Sequence, residues 1–146
     1  MRVLVMFDGS DDGFAGLARP VAMLKASGSN HEIMCALVGW PPRKSPIWDR
    51  AFTKQPILDD LHRAMAEVAS TEFKRLRDLF AGVGNVTTEY LEGDPITELV
   101  ALVDRQKPDI LVGSFTRGND AESVEAVVFG VVRRTTVPTL LTFGKI

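Results

Sequence analysis

Short apolar runs bounded by turn residues alternate along this chain with stretches of helical periodicity, and that alternation most constrains what it can fold into. It calls for parallel strands joined by crossover helices. Five strand candidates stand out: Val3 to Phe7, Ile33 to Val38, Val86 to Leu91, Ile110 to Gly113 and Val137 to Phe143. Between them, Phe14 to Lys25 reads as a helix, and Pro56 to Phe80 as a long one with Leu61, Met65, Val68, Leu76 and Leu79 along one stripe. Pro95 to Gln106 carries Ile96, Leu99, Val100 and Val103 at helical spacing and stops before Pro108, and Ala121 to about Arg134 makes a fourth helix.

Composition orders the strands. Strands covered on both faces read as continuous apolar runs, whereas edge strands tolerate polar residues and proline. The first, second and fourth runs are the continuous ones. Thr87, Thr88 and Glu89 interrupt the third, and Pro138 sits in the fifth, so both belong at edges. The prediction is an α/β fold: an open parallel five-stranded sheet of order 3-2-1-4-5 with helices on both faces. Its direction of winding reverses between strands one and four, where ligands of such sheets bind outside the strand ends. Two loops are thereby nominated, Asp8-Gly9-Ser10 and Ser114 to Asn119.

With 146 residues, 45% hydrophobic and 25% charged, the chain suits one globular domain over 1–146. Seventeen basic residues against 19 acidic ones give a net charge of -2, which is no footprint for nucleic acid. The longest nearly apolar run, Ala126 to Val132, falls far short of the ~18 residues of a membrane span. The apolar start before Asp8 is too short for a signal peptide, so a cytoplasmic location is expected. A single cysteine, Cys35, excludes an internal disulfide and a cysteine-based zinc site, and reads as a small buried hydrophobe. His31 and His62 have no ligand-spaced partners and read as surface or satisfied residues. Trp40 to Gln55 is the one long irregular stretch, a surface connection or a lid beside the crevice.

Asp8 places a carboxylate at the crevice, Gly9 permits close backbone approach, and Ser10 puts a hydroxyl at a helix start. The same residues suit a turn and helix cap, which Asp11 and Asp12 strengthen by offsetting the helix dipole. Gly113, Ser114, Arg117 and Gly118 belong to a strand-to-helix loop that offers backbone N–H groups to an anion, with Arg117 as a bidentate phosphate contact. No dinucleotide fingerprint, Walker phosphate loop or serine nucleophile elbow is present.

The order of these segments resembles the universal stress protein family over Arg2 to Phe143. Val3-Leu4-Val5-Met6-Phe7-Asp8-Gly9-Ser10 is similar to the family's opening strand, and Gly93-Asp94-Pro95 to its G-x-P signature. Pro108 to Ser114 and Val137 to Leu141 resemble its fourth and closing strands. The resemblance implies a Rossmann-like fold and a cytoplasmic, stress-linked, non-catalytic role in ligand sensing or partner binding. It also implies a homodimer joined through the last strand, Val137 to Phe143, an apolar edge open to pairing. No cofactor is required by it. ATP or AMP is the ligand it admits, with Asp8 and Val38 contacting base and ribose and Gly113, Ser114, Arg117 and Gly118 remaining for phosphate.

The family's phosphate motif, G-x2-G-x9-G-[ST], is eroded here. Gly113 matches the first glycine, but Thr116 stands at the second, and Ala126 with Val127 replaces the terminal pair. Asp120, Glu122 and Glu125 further oppose a polyphosphate. Two rivals remain. One is an ATP-hydrolysing member of the same fold, in which Asp8 holds a cation. The other is a phospho-accepting receiver domain, with Asp11, Asp12, Asp94, Ser114 and Lys145 cast as its acids, hydroxyl and lysine.

Overall fold

The computed structural model describes residues 1–7, 10–28, 30–39, 55–115 and 121–143. In chain order these form β1 (Arg2–Phe7), α1 (Asp11–Gly16), α2 (Ala18–Ala26), β2 (His31–Gly39), α3 (Gln55–Leu79), β3 (Gly84–Glu92), α4 (Pro95–Gln106), β4 (Ile110–Phe115), α5 (Ala121–Val132) and β5 (Thr139–Phe143). The five strands make one sheet in the order β3-β2-β1-β4-β5, every neighbouring pair parallel. The predicted order therefore holds.

Both faces of the sheet are covered, and β1 shows why. Successive strand residues point to opposite faces. Val3, Val5 and Phe7 pack with Leu17, Val21, Leu24, Phe73, Leu76 and Phe80 on one side. Leu4 and Met6 pack with Leu99, Leu102, Val103 and Val131 on the other. Thus α1, α2 and α3 cover one face, and α4 and α5 the opposite one.

The structure corrects three sequence expectations. The single helix expected over Phe14 to Lys25 is two, broken at Leu17. Pro20 supplies the reason: it has no N–H for the Gly16 carbonyl four residues back, and its ring crowds that carbonyl. On α3 the stripe is rotated, because the face against the sheet carries Ala69, Phe73 and Leu76, while Val68 is 60% exposed. The side chains of Leu61 and Met65 lie outside the described residues. Finally, β5 begins at Thr139, after Pro138, whose carbonyl accepts from Leu111 N at 2.9 Å. Proline cannot donate into a ladder and so sits before the strand rather than inside it.

Trp40 to Lys54, the greater part of the stretch read as connection or lid, lies outside the described residues. Among the described residues, no helix is long and apolar enough to cross a membrane.

Candidate functional site

The crevice follows from the winding of the sheet. At its centre Phe7, the last residue of β1, pairs with Ser114 of β4. Beyond that pair the chain leaves β1 toward α1 on one face and leaves β4 toward α5 on the other. In open parallel sheets, the place outside the strand ends where the winding reverses in this way is where ligands bind.

Ser10 caps α1. Its extended backbone turns the hydroxyl oxygen onto the Gly13 N–H at 2.9 Å, satisfying one of the donors a helix start leaves over. Asp11 and Asp12 occupy the first turn, where carboxylates offset the helix dipole. Asp11 also reaches Arg75 of α3 at 3.1 Å. The Arg75 guanidinium lies 4.2 Å from the centre of the Phe14 ring, and Phe14 meets Phe7 edge-on with ring centres 6.4 Å apart. Arg75 went unnoticed in the sequence, since 64 residues separate it from Asp11 and no local spacing joins them.

On β4, Gly113 lies opposite Met6 on one side and Leu141 on the other. Ser114 is not the first loop residue that the sequence suggested; β4 runs on to Phe115. Its side chain has no exposed surface, and its hydroxyl donates to the Gly13 carbonyl of α1. Val38 lies on β2 opposite Leu91 of β3. Asp8, Gly9, Arg117 and Gly118 lie outside the described residues, as do the acids at 120, 122 and 125 in their side chains. Of the residues nominated from the sequence, the structure thus describes Ser10, Gly113, Ser114 and the backbone of Val38, and it joins Ser10 and Ser114 through Gly13.

The receiver reading fails on topology. In the flavodoxin-like order 2-1-3-4-5 the third strand neighbours the first, whereas here β3 is an edge strand. Asp94 at its end is a helix cap, accepting from Thr97 N at 2.9 Å and Thr97 Oγ1 at 2.7 Å. Among the described residues, no three His, Cys, Asp or Glu side chains group to hold a metal ion.

An open parallel sheet whose winding reverses between β1 and β4 defines a Rossmann-like α/β protein. More particularly, it has the fold of the universal stress proteins. The chain superposes on the universal stress protein UspA from Lactobacillus plantarum with a TM-score of 0.72 at 20% identity, covering 97% of each chain. A universal stress protein crystallised in complex with cAMP matches with a TM-score of 0.57 at 22% identity, over 99% of this chain and 98% of that one. An Arabidopsis thaliana protein of the universal stress protein family, with AMP bound, matches with a TM-score of 0.58 at 14% identity, over 99% and 92%. No family model and no curated protein matches the sequence.

Proposed function

We propose that this chain is a non-catalytic, cytoplasmic stress-response module of the universal stress protein type that binds an adenine mononucleotide in the β1/β4 crevice. The observation that carries this reading is the strand order, which brings the Ser10-capped start of α1 and the C-terminal end of β4, with Gly113 and Ser114, to the end of the sheet where its winding reverses. Two proteins of the same fold hold cAMP and AMP, and each of those ligands carries one phosphate. A triphosphate fits this chain poorly, because Thr116 and Ala126 stand where the motif glycines would let backbone amides wrap it. Asp120, Glu122 and Glu125 add like charge along its path.

Signalling by such a module requires that ligand bind two states of the crevice loops unequally. Its assembly is a homodimer through β5. The two sheet edges differ: on β3, Glu89 is held by Arg105 at 2.7 Å and Thr88 by Arg77 at 2.9 Å. On β5, Thr139 to Thr142 are uncharged and partly exposed, and an unguarded edge is a template for a second chain.

Calorimetric titration with AMP, cAMP and ATP, with and without magnesium, tests the ligand. AMP or cAMP is expected to bind at micromolar concentration, with ATP at least about tenfold weaker, and Asp8→Ala to abolish the signal. No heat and no thermal stabilisation at millimolar nucleotide would exclude the mononucleotide reading. Sedimentation tests the assembly. A dimer in the wild type that dissociates in Leu140→Lys supports β5 pairing, and a monomeric wild type rejects it.

A further inference from the structure

Ser114 and His31 are the buried polar residues among the described ones, and each has a partner. That of Ser114 lies on a different element 101 positions away, the Gly13 carbonyl of α1. Helix α1 has six residues, too few to persist without tertiary support. At its end Leu17 N bonds the Phe14 carbonyl at 3.1 Å, a tight turn, and the Gly13 carbonyl faces the sheet. Gly13 N meanwhile donates to Ser10 Oγ at 2.9 Å. One residue, Gly13, thus links the cap at the mouth of the crevice to a hydroxyl inside the sheet.

We infer that Ser114 is a positioning residue of the crevice: its hydroxyl ties α1 to β4 and so sets the separation of the two walls a ligand enters. This rests on the crevice being the binding site proposed above. A buried hydroxyl suits that task because its hydrogen bond is directional, and breaking it leaves a desolvated carbonyl unpaired. Helix α1 also meets its surroundings through Phe14, which packs against the core and meets Phe7 edge-on, and through the Arg75 contacts to Phe14 and Asp11. Those to Arg75 lie toward solvent, where the Asp11 side chain is 93% exposed, and such pairs contribute little. To the apolar packing of α1, Ser114 adds a directional hydrogen bond that runs from β4 to the helix backbone.

Amide hydrogen exchange on the whole chain tests this with no ligand present. In Ser114→Ala, exchange over Asp11–Gly16 is expected to accelerate by roughly tenfold or more, while amides of β1 and β4 keep their protection. Ser114→Cys, of similar size with a weaker donor, should fall between, and it serves alone if the alanine variant does not fold. Titration with AMP should show weaker binding in the same order. Unchanged exchange in α1, a uniform rise across the sheet, or wild-type AMP affinity in Ser114→Ala would each overturn the assignment. If the wild type binds no AMP, the mononucleotide reading fails by itself, and the exchange of α1 still decides whether Ser114 holds the helix to β4.

Discussion

Gly84 of β3 pairs with His31 of β2 so closely that a Cβ built on Gly84 would overlap the His31 carbonyl oxygen. The obstacle is backbone, which cannot swing aside as a side-chain tip does. Gly84→Ala is expected to cost about 1–3 kcal/mol as the edge strand is pushed off its neighbour. A urea unfolding curve measures it, and an unchanged midpoint would contradict so tight a pairing.

His31 is buried on the same strand, with Nε2 at 3.1 Å from both the Leu24 carbonyl and Ser27 Oγ. A carbonyl can only accept, so Nε2 carries a proton and donates. Ser27 Oγ in turn donates to the Leu24 carbonyl at 2.9 Å. His31→Phe retains the bulk and loses the donor at the C-terminus of α2, for an expected loss of about 1–3 kcal/mol. Ser27→Ala removes one arm only and should cost less. Equal stability of His31→Phe and wild type would show that the contact is dispensable.

Asp94 caps α4, and its hydrogen bonds from the Thr97 hydroxyl and N–H hold its carboxyl below the usual carboxylate range, aided by Arg134. Because the folded value is depressed, the contribution is present above the unfolded value of about 3.9 and is lost as pH falls below it. Asp94→Ala should cost about 1 kcal/mol at neutral pH. Asp94→Asn keeps a cap without a charge, so its deficit relative to wild type should shrink as pH drops from 6 toward 3. A deficit independent of pH would mean that the carboxylate charge adds nothing.

Burial pushes the Cys35 thiol up to about 12, against a smaller opposing effect of Arg77. The folded value lies above the unfolded one of about 8.5. The contribution to stability is therefore complete below that pH and is lost as pH rises toward 12. Iodoacetamide at pH 8 should leave the native protein unmodified and alkylate it fully in denaturant. Rapid alkylation of the native protein would show that β2 opens locally.

Much of the fold was legible in the sequence because its signals are local. The apolar runs around Val5 and Leu111 read as interior strands, and Glu89 and Pro138 marked the two edges. Helix α4 has the predicted ends, Pro95 and Gln106, since a proline at its start and another beyond its end bracket it. The strand order came from composition along each strand. The capping roles of Ser10, Asp11 and Asp12 were likewise readable from their order before an apolar stretch.

Tertiary structure decided what depends on contacts between distant segments. Val68 and Ala69 are adjacent in sequence and differ by about 100° around α3, so only the docking of that helix selects which of them meets the sheet. Ser114 looked like a loop residue available to phosphate. Pairing of β4 with both β1 and β5 drew it into the sheet, and Gly13 claimed its hydroxyl. Arg75 joined Asp11 and Phe14 because α1 and α3 share one face. Local periodicity thus determined the elements and their order, whereas the partner of each buried polar group was settled only when packing excluded water from it.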